Sequence, residues 1–232
     1  KAPFTRSESG GHLAIVFTIA RGRLYRVAAI DVAGVSAGPS ADLLPLIRAK
    51  PGDPYVQARV DRDVAAIIDD YRRRGYASVQ VTPTVSPTAR ATPGGDVPVA
   101  VTVTVAEGPR TTVGAIAFDG ASQLDEAQLR GLLRTKIGDP FYGPRIDSDR
   151  AQLMAAYRDR GYRQVTIEPA ARVSASGTDA EIRFVVSEGP QILVDHILIV
   201  GHTRTSEATI RRELTLQPGD ALGDAAVAET QR

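Results

Sequence analysis

The chain has 232 residues, 43% of them hydrophobic and 24% charged, an ordinary globular composition that allows up to three small domains. Its 28 basic and 27 acidic residues leave a net charge of +1, which gives no electrostatic case for nucleic-acid binding. It has no cysteine, so disulfides and thiolate metal sites are excluded, and no apolar run reaches the ~18 residues of a membrane-spanning helix. Lys1 to Gly11 are polar and unlike a signal peptide, so the chain reads as an internal piece of a longer protein.

Leu13, Ile15, Phe17 and Ile19 alternate before Gly22 and predict the last strand of a unit that began earlier. Val27, Ile30 and Val32 predict a first strand ending at Gly34. After the turn Gly52-Asp53-Pro54, the apolar residues Val60, Val64, Ile67, Ile68 and Tyr71 fall at helical spacing, and Gly75-Tyr76 follows. Val79 and Val81 mark a second strand. The loop Pro83 to Asp96, with Pro87, Pro93 and Gly94-Gly95, separates it from a third. In that third strand Val97, Val99, Val101, Val103 and Val105 alternate without a break.

The same marks then return. Gly34, Gly52-Asp53-Pro54 and Gly75-Tyr76 recur as Gly120, Gly138-Asp139-Pro140 and Gly161-Tyr162, each 86 positions later. Val113, Ile116 and Phe118 predict the first strand of this copy. Leu129, Leu132 and Leu133 predict a short helix, capped by Asp125 with Gln128 three residues on. A longer helix is predicted from Gly143 to Arg160, with Pro144 in its first turn and Ile146, Leu153, Met154 and Tyr157 as its stripe. Strands follow at Tyr162 to Ile167 and Glu181 to Ser187, joined by a polar loop containing Ser174, Ser176, Gly177 and Asp179. A third copy starts with Val194, Ile197, Ile199 and Gly201, 81 positions after the second. It continues through Ile210, Leu214, Gly219-Asp220 and Val227, and lacks the last two strands.

A fixed period means tandem modules of strand, helix, helix, strand, strand. The fold class is therefore α+β: tandem β-α-α-β-β modules, each a three-stranded sheet covered on one face by two helices. The expected domains are 1–21 (the end of a truncated unit), 22–107, 108–188 and 189–232 (the start of a further unit). Glu107-Gly108-Pro109 and Glu188-Gly189-Pro190 are the joints.

The chemistry-bearing residues have plain readings. Tyr76 and Tyr162 suit packing at the corner after a cap glycine. Arg72, Arg73 and Arg74 read as a solvated helix end, and Asp53 and Asp139 as turn residues. His12, His196 and His202 lack ligand spacing, and no nucleophile triad or phosphate loop can be assembled. No catalytic residue, cofactor or metal is expected.

The ordered set of marks resembles the polypeptide-transport-associated (POTRA) domain of the outer-membrane insertase superfamily that includes BamA and TamA. The resemblance rests on Gly34, Gly120 and Gly201 after the first strand and on Gly-Asp-Pro before the second helix. It rests also on Asp70 to Tyr76, Ala156 to Tyr162, and Glu-Gly-Pro at the unit ends. The third copy departs at Gly219-Asp220-Ala221, where alanine replaces proline. The resemblance implies a periplasmic scaffold, not an enzyme, that handles unfolded outer-membrane protein segments or accessory assembly subunits and precedes a C-terminal membrane β-barrel. The POTRA region of a two-partner secretion transporter and an envelope or division scaffold are the alternatives. It also implies that the second strand is an open edge that pairs with clients, at Ala77, Ser78, Val79, Gln80 and Val81 and at Arg163, Gln164, Val165, Thr166 and Ile167.

Overall fold

Strict alternation of valines puts one face of a strand into a core and leaves its backbone free to pair on both sides. In the computed structural model, which describes residues 4–9, 12–17, 22–88, 95–201 and 204–230, that strand is the centre of its sheet. β5 (Val97–Ala106) lies between β3 (Tyr25–Ala33), which is parallel to it, and β4 (Gln80–Pro87), which is antiparallel. Its five alternating valines are each 5% exposed or less. The second copy repeats the order: β8 (Asp179–Ser187) lies between β6 (Thr112–Asp119), parallel, and β7 (Thr166–Val173), antiparallel.

By contact the chain separates into two compact units, Lys1–Ile68 with Gln80–Ala106, and Asp69–Val79 with Glu107–Arg232. In the second unit the helices α2 (Glu126–Leu132) and α3 (Gly143–Arg158) cover one face of the sheet. Leu129, Leu153 and Tyr157 from the helices meet Ile167, Ile182 and Phe184 from the strands in one core. Burying each such side chain contributes roughly 1.5–3 kcal/mol. α1 (Gln57–Arg73) is the matching long helix of the first copy, with Val60, Ile67 and Tyr71 buried. Asp125 accepts from the backbone of Gln128, whose side chain returns the bond, so the predicted capping box is present. Pro144 stands in the first turn of α3 as expected.

Four local expectations change. The short helix of the first copy, Ser40–Leu46, is a 3-10 helix, because Pro45 inside it removes an N–H and Pro39 before it offers no capping oxygen. The second strands begin at Gln80 and Thr166, later than predicted, and run on into the residues assigned to loops. Leu13, Ile15 and Phe17 do lie on a strand, β2 (His12–Phe17), while Ile19 falls outside the described residues. β2 pairs antiparallel with β1 (Phe4–Ser9), whose polar sequence carries little strand signal. In the third copy, α4 (Glu207–Glu213) and α5 (Asp224–Thr230) form, but Val194 to Ile199 make no ladder. Only the bridge between Leu193 and Ala221 is present there, since no third strand lies alongside among the described residues.

Three features hold the modules. Gly34 and Gly120 both have φ of +79°, and a Cβ on either would run into a backbone carbonyl of the last strand, Val105 or Val186. Asp149 is fully buried on α3, where its carboxylate accepts from the backbone N–H of Arg134 (2.8 Å) and Thr135 (3.1 Å). Asp63, 86 positions earlier, does the same for Ala49 (3.1 Å). The third is the glutamate of Glu-Gly-Pro. Tyr157 donates its hydroxyl to Glu188 (3.0 Å), as Tyr71 does to Glu107 (2.9 Å). Glu188 also accepts from the backbone N–H of Ser122 (2.8 Å) and Gln123 (2.9 Å), and from the Ser122 hydroxyl (2.5 Å). Burial, and then the bond to Glu188, push the Tyr157 hydroxyl well above its ordinary value. Partial burial pulls the Glu188 carboxyl upward, but the four donors outweigh it and hold the group below the usual range.

Each feature has a measurable consequence. Gly120→Ala suffers both the left-handed strain and the carbonyl clash, and is expected to lower unfolding stability by about 2 kcal/mol or more in urea titrations. Asp149→Ala strands two backbone donors, each worth about 1–3 kcal/mol when buried and unmet. Asp149→Asn, which keeps one acceptor, should lose less. A carboxyl held low in the native state stabilises above its unfolded value of about 4.3 and ceases to as pH falls through the native value. Glu188→Gln should therefore be less stable than the parent at pH 7, with the gap closing as the pH is lowered through 4 toward 3.

Candidate functional site

A three-stranded sheet has two margins, and here they differ. The outer side of the first strand is covered by the chain's own Gly-Asp-Pro turn. Val27 donates to Asp53 O (2.9 Å), Gly52 donates back to Val27 O (2.7 Å), and Tyr55 donates to Tyr25 O (2.8 Å). Val113, Gly138 and Phe141 repeat the three bonds with Asp139, Val113 and Thr111, at 2.8, 2.8 and 3.0 Å. The third copy does so again through Val194, Gly219 and Leu222. The Arg130 guanidinium further occupies Ile116 O at 2.6 Å. Asp139 is thereby a turn residue: it accepts from Lys136 N at 3.0 Å, as Asp53 does from Lys50 N at 3.2 Å.

The second strand's outer side has no such cover. Inner and outer bonding alternate along an antiparallel strand. Thr88 donates inward to Pro98 O (2.9 Å) and Ser174 inward to Asp179 O (2.8 Å), so the even residues face the sheet and the odd ones face out. The outward residues are Val81, Pro83, Val85 and Pro87 on β4, and Ile167, Pro169, Ala171 and Val173 on β7. Among the described residues no hydrogen bond reaches their outward backbone groups.

Of the ten predicted edge residues, Gln80, Val81, Thr166 and Ile167 lie on these strands. The other six form the turn that precedes them. Ala77 and Arg163 bond back to the cap glycines Gly75 and Gly161 at 3.0 Å, Ser78 and Gln164 complete the turns, and Val79 and Val165 bond to Tyr76 and Tyr162 at 3.2 Å. Val79 and Val165 are also buried, at 6% and 2% exposure, so proline at either would break the turn rather than probe an edge. Arg163 instead pairs with Asp224 at 3.1 Å. Val85, Ala171 and Val173 were missed. Pro83 and Pro169 were the available signal, because proline inside a strand is tolerated only where its missing N–H faces out.

The sheet faces away from the core differ between the copies. In the first, small residues line it: Thr82, Thr84, Ala100, Thr102 and Thr104. In the second, Arg183 bridges Asp119 and Glu181, each at 2.8 Å, and those partners hold its guanidinium above its ordinary value. A depression of about 230 Å³ lies there, lined by Ala170, Ala171, Arg172, Glu181 and Arg183. The remaining polar residues keep plain roles. Tyr162 stands edge-on to Tyr157 (5.9 Å) and Tyr76 to Tyr71 (5.5 Å). Arg73 pairs with Asp69, and Arg74 with Asp70 at 2.6 Å. His12 lies on β2, His196 bonds its neighbour Asp195, and His202 is outside the described residues. No group of His, Cys, Asp and Glu among the described residues could hold a metal ion, and no helix there is long and apolar enough to cross a membrane.

Comparison with known proteins agrees with this architecture. Residues 25–108 and 111–189 each match the POTRA family, described as surface antigen variable number repeat. A Treponema pallidum (strain Nichols) protein provisionally named outer membrane protein assembly factor is 29% identical over 203 residues, 83% of this chain and 23% of its own length. The outer membrane protein assembly factor BamA of Nitratidesulfovibrio vulgaris is 26% identical over 167 residues, 69% of this chain and 20% of its own. The chain thus spans less than a quarter of these relatives. The crystal structure of POTRA domains 3 to 5 of Haemophilus influenzae BamA covers 91% of this chain and 85% of that one, with a TM-score of 0.55 at 22% identity, a likeness of fold. With two matches that together take in more than half of its residues, the chain belongs to the POTRA family.

Proposed function

We propose that this chain is the periplasmic POTRA region of an outer-membrane protein assembly factor, and that it holds unfolded outer-membrane protein segments by strand addition at the second-strand edges. The observation that carries the reading is the asymmetry of the sheets. In each complete module one margin is sealed by the Gly-Asp-Pro turn, and the other carries backbone groups with no partner among the described residues. An extended segment that adds there is bonded through its backbone, which is nearly blind to side-chain sequence. That suits a receptor for many clients. The assembly-factor names of the relatives favour the same role. In the full-length protein the array would precede a membrane β-barrel and offer surfaces to accessory assembly subunits.

Weakness is part of this reading. A net hydrogen bond contributes about 0.5–1.5 kcal/mol, so four of them correspond to a dissociation constant in about the millimolar range. Repeated modules along the full-length array would raise the effective concentration for a further contact. Clients are held and released without any chemical step.

Hydrogen exchange on the chain mixed with a urea-unfolded outer-membrane protein, diluted to folding conditions, tests the proposal. Outward amides of a second strand, on β4, on β7 or on both, should gain protection, while those of the central strands β5 and β8 stay as they were. Protection confined to the helices, or none at all, would count against it.

A further inference from the structure

The two open edges are not equivalent, and prolines make the difference. On β4 the outward positions run Val81, Pro83, Val85, Pro87, so every second one lacks an N–H. No two successive outward residues there can both donate. On β7 the outward run is Ile167, Pro169, Ala171, Val173, with a single proline toward its start. Past it, Ala171 and Val173 are successive donors, and the Pro169 carbonyl adds an acceptor. A proline ring on the outer side also stands where an added backbone would lie, and this is how natural sheets guard their margins.

Side chains at that end of β7 narrow the partner. Arg172 lies across from Glu181, but Glu181 is bonded to Arg183, and Arg172 has no ion pair among the described residues. It lines the depression on the bare face beside Ala170. Ala171 and Val173 point to the opposite side of the sheet, where Val173 is a large apolar side chain left 44% exposed. A strand lying alongside would therefore meet a cation on one of its faces and apolar surface on the other.

We infer that strand addition is confined to Ala171–Val173 of the second module, that Pro83 and Pro87 close the β4 edge, and that the preferred occupant is an extended segment alternating acidic with apolar residues. This rests on the edge-pairing reading above and gives it a location and a side-chain preference. Pairing at β7 has one short uninterrupted stretch, so a client engages there with a few bonds and slides only in steps of two residues, because a one-residue slip would turn its acids onto the apolar side.

The probe is a nine-residue peptide alternating valine and glutamate, carrying a photoreactive leucine analogue at its centre, added to the whole chain. Crosslinks are mapped by mass spectrometry. In the parent chain they should fall at Ala170 to Ser174 and be absent from β4. Ala171→Pro removes an outward N–H and no ladder bond, just as Pro169 does, so the fold is kept. It should cut crosslinking about tenfold, the worth of one to two hydrogen bonds. Pro83→Thr with Pro87→Thr should create crosslinks along Val81 to Val85, and this gain does not depend on the other variant folding. A valine–lysine peptide should crosslink several-fold less, through its repulsion from Arg172. Equal use of β4 and β7 in the parent, an unchanged yield in folded Ala171→Pro, or equal capture of the lysine peptide would overturn the inference while leaving edge pairing intact. A peptide that reaches neither edge in any variant, the opened β4 included, would remove edge pairing itself.

Discussion

The organising constraint of this molecule is the pairing between the Gly-Asp-Pro turn and the outer side of the first strand. A small sheet buried on one face cannot avoid having margins, and unmatched backbone groups invite other chains. The turn supplies one carbonyl and two N–H groups in register with Tyr25 and Val27, and again with Thr111 and Val113. It needs a glycine, since Gly52 and Gly138 both adopt positive φ, and an aspartate whose side chain folds back on the backbone three residues earlier. With that margin spent internally, the remaining margin of each complete module is the outer side of its second strand. The same constraint places the second helix, because Pro54 and Pro140 lead straight from the turn into α1 and α3.

A second layer of order runs through buried carboxylates. Asp63 and Asp149 sit on the helix stripe where an apolar residue would be expected, and each takes up the orphan backbone donors at the end of the preceding segment. Glu188 reaches from the close of its module to the loop after Gly120, and Glu107 meets Tyr71 in the matching position. The acids that look like candidates for chemistry are thus consumed in holding loops to helices. The polar interior is architecture, and the outer sides of β4 and β7 carry backbone groups with no partner among the described residues.

Much of this was legible in the sequence, because repetition acts as a control. The 86-residue offset between Gly34 and Gly120 identifies the module before any element is assigned, and the valines of β5 announce a strand buried along one face. The start of the second strand was not legible. Val79 and Val165 alternate with Val81 and Ile167 as a strand would, yet their amides close turns onto Tyr76 and Tyr162. Periodicity reports which side of the chain is buried, not where its hydrogen bonds go. The role of Asp149 was hidden for a related reason: one acid in an apolar stripe reads as an interruption, although its counterpart Asp63 at the repeat distance marks it as a fixed feature. The 3-10 form of Ser40–Leu46 was readable from Pro45.

Where two modules share a scaffold, what distinguishes them is concentrated where the scaffold makes no demand. The cap glycines, the turn, the tyrosine–glutamate bond and the buried aspartate are common to both copies. The bare sheet faces are not: one is threonine and alanine, the other a charged cluster centred on Arg183. Nor are the outer prolines, two on β4 and one on β7. Proline facing outward costs the sheet no ladder bond, so folding is indifferent to its presence there. The margin is then free to be opened or shut without altering the core. A tandem array gains from this separation, since one robust module can be reused while the outer side of its second strand varies from copy to copy.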